Sequence, residues 1–374
     1  MITIAHLITG LEVGGAETML ARLVTHSDHD RFRHRVISMR EPGDMAAVIR
    51  AAGIPVESLH MRPGAPDPRV ALKLRRLLSH HKPDVLQSWM YHANLLASVV
   101  GPTVRVPVIW NMRAVPDVNY GRQVAAIDAA LSSMARLPAA VVVNSEHGRA
   151  HMASHGYAGA RWKVIPNGFD TTELRPDAAA RRRIRGEWGI CDKHVVIGLV
   201  ARLDPVKDHP TYLEAAQLLS RHDSTARFVC VGGGNDSYQD QLQGLAASLG
   251  IADRVIWAGA RSDIAAVNSA FDIATCCSLS ESFPNVVGEA MACGVPCVVT
   301  DVGDSARLVG NTGTVVPPRS PSALAAAWQA MMVGGPAFRA ELGPRARGRI
   351  QSDFSLDRIV ADYENLYTTV AQKS

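Results

Sequence analysis

A chain of 374 residues is longer than one ordinary domain, and two domains of roughly 170–190 residues fit the usual size range. Hydrophobic residues make up 47% and charged residues 20%, so each half can bury a core and a disordered chain is excluded. The formal charge of +4 is small for this length and comes with no nucleic-acid-binding signature, so no nucleic-acid partner is expected.

Strand-like apolar runs alternate with helical periodicity along the chain, which argues for doubly wound parallel sheets. In the first half the strand-like runs are Ile2–Thr9, Arg35–Met39, Val56–Leu59, Val85–Ser88, Val106–Trp110 and Ala140–Asn144. Helical periodicity separates them, as in Glu17–Thr25, Val70–His81 and Ala93–Val100. Met1–Thr9 carries no basic n-region, and no stretch reaches the roughly 18 uninterrupted apolar residues of a membrane-spanning helix. The expectation is a cytoplasmic protein, with peripheral membrane contact left open.

The composition turns polar and Arg-rich from Thr171 to Trp188, and a second series of strands follows. Its members are Val195–Ala201, Arg227–Val231, Val255–Trp257, Ile273–Cys277, Pro296–Val299 and Thr314–Val316. Helical segments then occupy Ser322–Val333 and Pro336–Ser352. A last one from Ser355 carries an apolar stripe of Leu356, Ile359, Tyr363, Leu366 and Tyr367. Cys230, Cys276, Cys277 and Cys297 fall in strand-like runs and Cys293 on a helix, with no Cys-x2-Cys pair. They read as small buried apolar residues in a reducing compartment rather than as zinc ligands or bridges.

The stretch from Ser278 to Pro296 holds two carboxylates, Glu281 and Glu289. Glu289 lies inside a short predicted helix, Val286–Cys293, closed by Gly294. A helix starting near Pro284-Asn285 would point free N–H groups at an anion, while the carboxylates could hold hydroxyls. That is a nucleotide-sugar site in outline. The same pair could serve a glycosidase, or each glutamate could be a solvated helix-end residue, and spacing alone does not decide.

Gly14-Gly15 sits in a loop that follows a strand and opens a helix, where adjacent glycines permit close approach of a ligand or simply a tight turn. The spacing is not Gly-x-Gly-x-x-Gly, which argues against a dinucleotide dehydrogenase. Arg202 and Lys207 follow the strand Val195–Ala201 and would face the crevice at the carboxyl end of a parallel sheet, or would be two solvated cations. Gly232-Gly233-Gly234 marks a tight turn. Aromatic and amide groups in Gln87–Asn94 and Trp110–Arg113 suit a carbohydrate surface, and His92 among them is a ligand or a structural histidine. His147, His151 and His155 share one helical face without a His-Glu-x-x-His pattern, and Asp28-His29-Asp30 lies in a polar turn, so no metal site is expected.

The Glu281–Glu289 segment resembles the Glu-x7-Glu motif of retaining nucleotide-sugar glycosyltransferases of the family 4 (group 1) type, which have the GT-B fold. Further matches, in order and spacing, are Gly14-Gly15-Ala16-Glu17, the run Ile165 to Asp170, and the run Val200 to Lys207. Ala258 to Asp263 and the ending Asp353-Phe354-Ser355…Tyr363 to Tyr367 complete the set.

The resemblance implies an α/β GT-B fold, two Rossmann-like doubly wound parallel-sheet domains facing across a cleft. Residues 1–170 would form the acceptor-side domain and 171–354 the nucleotide-sugar-binding domain, with the helix 355–374 crossing back onto the first. By the same resemblance Arg202 and Lys207 stabilise the leaving β-phosphate without a metal, Glu281 holds the donor sugar, and Glu289 the ribose. Ser282, Phe283, Pro284, Asn285 and Val286 contact sugar and phosphate through their backbone. Gly14 and Gly15 approach the diphosphate, Asn167 belongs to the mid-chain motif, and Arg261 lies at the base, chiefly through backbone. His92 matches a family histidine, whereas Arg113 stands where many relatives place a second one. No cofactor is implied.

The implied reaction moves a hexosyl sugar from a UDP- or GDP-type donor to a glycan or polyprenyl-linked acceptor, with retention, in cell-surface polysaccharide assembly. Two other readings are a sugar-nucleotide epimerase of the same fold and a non-catalytic nucleotide-sugar or glycan-binding module.

Overall fold

A computed structural model of the chain describes residues 1–62, 67–113 and 122–373. It divides into two compact units, Met1–Gly168 with Leu356–Ser374, and Phe169–Ser355.

The first unit contains β1 (Ile2–Ile8), α1 (Gly15–His26), β2 (Phe32–Ser38), α2 (Met45–Ala51), β3 (Val56–Ser58), α3 (Arg69–His81) and β4 (Val85–Trp89). There follow α4 (Met90–Val100), β5 (Val108–Met112), α5 (Arg122–Ser133), β6 (Ala140–Val143), α6 (Glu146–Ser154) and β7 (Trp162–Val164). All seven strands are parallel, in the order β3-β2-β1-β4-β5-β6-β7. The central strands are buried along most of their length, which is why they read as continuous apolar runs rather than as alternating ones. β5 begins two residues later than the apolar run suggests, after Pro107, which has no N–H to give a ladder. β7 was not expected. Its three residues, two half-buried and Lys163 exposed, are too few to show a period.

The second unit contains α7 (Ala178–Glu187), β8 (Val195–Val200), α8 (His209–Ser220), β9 (Ala226–Val231), α9 (Asp236–Ser248), β10 (Val255–Gly259) and α10 (Ile264–Ala270). It continues through β11 (Ile273–Cys276), α11 (Asn285–Ala292), β12 (Cys297–Thr300), α12 (Ser305–Val309), β13 (Thr314–Val316), α13 (Pro321–Val333) and α14 (Gly335–Asp353). Its six strands are parallel in the order β10-β9-β8-β11-β12-β13. Five of the six cysteines are buried here as free thiols. Burial pushes the Cys276 thiol up to about 11 and that of Cys293 to about 12, which leaves them inert.

The last helix, α15 (Leu356–Ala371), belongs to the first unit, packed on α1, β1 and β4. Its stripe of Leu356, Ile359, Tyr363, Leu366 and Tyr367 is wholly buried with Leu20, Val24 and Trp89. Among the described residues no helix is long and apolar enough to cross a membrane.

Each sheet reverses its strand order once, between β1 and β4 in the first unit and between β8 and β11 in the second. Open parallel sheets bind ligands outside the carboxyl ends of the strands at such a reversal.

Candidate active site

In the second unit the loops leaving β8 and β11 meet at the reversal. The loop after β8 carries Arg202 and then a 3-10 turn, Pro205–Lys207, whose start is fixed by the Asp204 carboxylate accepting from the N–H of Val206 at 3.0 Å. Leu279 donates its N–H to the carbonyl of Val206 at 2.8 Å, tying the β11 loop to this turn. The result is an ion pair: Lys207 Nζ lies 2.5 Å from Glu281 Oε1, with the two side chains 21% and 13% exposed. The Ser278 hydroxyl donates to the same oxygen at 2.7 Å. Arg202 is held more loosely, 3.4 Å from Asp204, and its side chain reaches into solvent.

Three glycines set this geometry by what they leave out. A Cβ on Gly232, after β9, would lie 1.9 Å from the carbonyl oxygen of Ala201. Gly303, after β12, has φ +55°, and its Cβ would lie 2.2 Å from the carbonyl of Glu281. Gly288 in α11 lies flat on the ring of Phe169, which stacks in turn with Phe283. α11 is thereby pressed into the core through Val287, Ala290 and Met291, while Asn285, Val286 and Glu289 remain half-exposed at its opening turns. It starts at Asn285, one residue before the expected start, with Pro284 as its N-cap.

Arg202, Lys207, Glu281 and the segment 282–289 are thus gathered at one end of the second sheet. A lysine ammonium has three donors, one of which goes to Glu281, so this end can grip an anion with the held Lys207 and the exposed Arg202 and hold hydroxyls with carboxylates. His209, the first residue of α8, is buried beside it with neither ring nitrogen bonded, and burial followed by the charge of Lys207 pushes its pKa down to about 4. Arg261 lies past β10, two strands from β8. Its guanidinium is committed to Asp263, at 2.8 Å, and to Glu187, at 3.1 Å, which leaves only its backbone for a ligand.

In the first unit Gly14 is the extended N-cap of α1 and Gly15 its first residue. The Glu17 carboxylate folds back over Gly14, and burial raises its pKa, opposed by its own backbone N–H and helped by Glu12. His92, in the first turn of α4, is half-buried; burial and then the charge of Arg40 lower its pKa. Arg113 is buried. It donates to Tyr363 Oη at 2.7 Å, to Asn111 Oδ1 at 3.2 Å, and to Asn167 Oδ1. Arg113 and Asn167 are therefore partners of one another within the unit. His147, His151 and His155 stack along α6.

Sequence reasoning gave no role to Ser278 or Gly303, and gave Tyr363 a place in an apolar stripe but not as a partner of Arg113. Gly303 in Asp301-Val302-Gly303-Asp304, just after a strand, is a turn signal that could have been read. The partnership of Tyr363 with Arg113 spans 250 positions and has no local signature.

The pattern described as "Glycosyl transferases group 1" matches residues 194–333, and "Glycosyltransferase Family 4" matches residues 13–173. The chain is 31% identical over 267 residues to a GDP-mannose-dependent alpha-(1-6)-phosphatidylinositol monomannoside mannosyltransferase of Mycolicibacterium smegmatis, covering 67% of this chain and 68% of that protein. It is 36% identical over 193 residues to a D-inositol 3-phosphate glycosyltransferase of Acidothermus cellulolyticus, covering 49% of this chain and 42% of that one. The structure of Anabaena Alr3699/HepE in complex with UDP superposes with a TM-score of 0.86 at 21% identity, over 98% of this chain and 100% of that one. The chain belongs to the group 1, family 4 glycosyltransferases, and its fold is GT-B.

Proposed function

We propose that the protein transfers a sugar, with retention of anomeric configuration, from a nucleoside diphosphate to a phosphate-bearing lipid-linked glycan. The observation that carries this is the Lys207–Glu281 pair at the β8/β11 reversal, with the exposed guanidinium of Arg202 beside it. The departing diphosphate gains negative charge as the glycosidic bond breaks, and fixed cations stabilise that change. Glu281 positions the donor sugar and Glu289, with the backbone of 282–286, the ribose and phosphates. The acceptor hydroxyl attacks from the leaving-group face and a β-phosphate oxygen takes its proton.

GDP-mannose is the first donor to try, because two relatives at 31% and 30% identity carry that specificity in their names; UDP-sugars come next. The lipid-linked acceptor is supported by the same relatives. On the exposed face of α3, Arg69, Arg75 and Arg76 surround an exposed Leu72, a pattern that suits peripheral contact with an anionic bilayer at the inner face of the membrane. We place the reaction in the assembly of cell-surface glycoconjugates.

The test is a transfer assay with GDP-mannose, then UDP-glucose, and phosphatidylinositol or polyprenyl-phosphate glycans, with the anomeric proton of the product read by NMR. An axial donor bond giving an axial product supports retention and an equatorial product contradicts it. Conversion of the donor without acceptor would favour an epimerase.

A further inference from the structure

The first unit has an open cavity of about 660 Å³ lined by α3, α4 and α5 and by Met39, Arg40, Met61 and Arg62. That lies within the range of ~300–1,000 Å³ usual for small-ligand sites. Its walls are mostly aliphatic: Met39, Met61, Val70, Leu95, Leu96 and Ile127, with no Phe, Tyr or Trp among the described lining residues. Val99, 55% exposed, carries the same apolar wall to the surface. Sugars are held by aromatic faces and dense hydrogen-bonding groups, whereas the described lining is mostly aliphatic, with its polar groups confined to a few residues. A flexible hydrocarbon chain needs neither, and methionine side chains adapt to it.

One part of the wall is cationic. Arg40 and Arg62 line it beside His92, and the Nε–H of Arg40 is buried without a hydrogen-bond partner. A buried charged donor left unpaired is costly, and an anion in the cavity would supply the missing acceptor. The one carboxylate on the described lining, Asp67, is turned back to accept from the backbone N–H of Arg69 at 2.9 Å. His92 lies in the first turn of the helix that follows β4, at the reversal of the first sheet, so the cationic part adjoins the place where such sheets bind ligands.

We propose that this cavity takes the hydrocarbon chain of the acceptor lipid and that Arg40 and Arg62 hold the phosphate to which the chain is joined. The inference rests on the lipid-linked acceptor reading given above and adds the site that would select it. Two consequences are measurable. Affinity rises with chain length, by about fourfold for each methylene newly buried, until the cavity is full. At fixed length, a phosphate head binds more tightly than a neutral one.

The experiment is calorimetric titration of the full chain with octyl, decyl and dodecyl phosphate below their micelle concentrations, beside decyl maltoside and inorganic phosphate. Affinity is expected to climb along the alkyl phosphate series and to fall at least about tenfold for decyl phosphate in Leu96→Trp, which narrows the cavity, and in Arg40→Ala. Val99→Asp, at an exposed position where folding is not at risk, should weaken the same probe. Equal affinity across chain lengths, full competition by inorganic phosphate, or decyl maltoside binding as well as decyl phosphate would each overturn the proposal. GDP and UDP titrated into the same preparations separate the two readings. Nucleotide binding without chain-length dependence removes the cavity assignment alone, whereas lipid binding with no nucleotide binding removes the transferase site and leaves the cavity standing.

Discussion

Lys207 and Glu281, 74 positions apart in the chain, meet at 2.5 Å between Nζ and Oε1, and the Ser278 hydroxyl shares that oxygen. One residue leaves β8 and the other leaves β11, so the contact spans the point where the second sheet reverses its strand order. A cation and a carboxylate are thereby held in fixed relation at the carboxyl end of the second sheet.

Glu281→Gln should lower kcat by roughly 10²-fold, the scale of losing one preorganised electrostatic group, with a much smaller change in nucleoside diphosphate affinity. The replacement keeps the shape and removes the carboxylate charge, while the Lys207 ammonium remains; on the proposed reading the first serves the sugar and the second the phosphate. Steady-state rates alongside GDP titration decide it; an unchanged kcat would place Glu281 outside the chemistry.

Gly303→Ala should disturb the same loop from behind. Its φ of +55° disfavours any side chain, and the added methyl would press on the Glu281 carbonyl at 2.2 Å. A loss of roughly 1–3 kcal/mol of stability is expected, the cost of local backbone strain, together with a fall in kcat. Gly53→Ala is the control. It shares a positive φ, +78°, but has nothing within 4 Å of the new methyl, so it should cost less and leave kcat alone. Denaturation midpoints and kcat for both variants are the measurement.

Much of this was legible in the sequence, for identifiable reasons. Parallel strands buried on both faces leave continuous apolar runs, so β1, β4, β8 and β11 stood out, and strand-end positions for Arg202, Lys207 and Glu281 followed from them. The apolar stripe of α15 was equally plain. The three-residue β7 was not visible, because half-buried edge residues carry no period. Nor was the burial of Arg113: its partners Tyr363 and Asn167 are distant in sequence, and an arginine ordinarily reads as surface.

Tyr363→Phe removes a hydroxyl that receives Arg113 at 2.7 Å and Asn111 at 2.9 Å. Two buried donors are left short of an acceptor, so a loss of about 1–3 kcal/mol is expected. Urea denaturation measures it. No loss would mean that water replaces the hydroxyl and that the network adds nothing to stability.

Acid should destabilise the fold through buried histidines. Burial, with His29 nearby, pushes the His34 pKa down to about 3; burial and Lys207 push His209 to about 4. Unfolded, each takes a proton near pH 6.5. Above that pH both states are neutral and the full stability is present. As pH falls from about 6.5 toward the folded values only the unfolded chain is protonated, and each histidine removes about 1.4 kcal/mol per pH unit. Midpoints measured from pH 7 to 5 should fall, and His34→Gln should make the slope shallower. An unaltered slope would show that His34 is not held neutral.

The central claim is that the loops after β8 and β11 grip a nucleoside diphosphate sugar. Calorimetric titration of GDP-mannose and UDP-glucose into the wild type, Lys207→Ala and Glu289→Ala tests it most directly, with thermal melts confirming that all three are folded. Binding of at least one donor, weakened about tenfold or more in each variant, is the predicted result. Equal affinity in all three proteins would contradict the account, as would binding of neither donor nor any other nucleotide sugar.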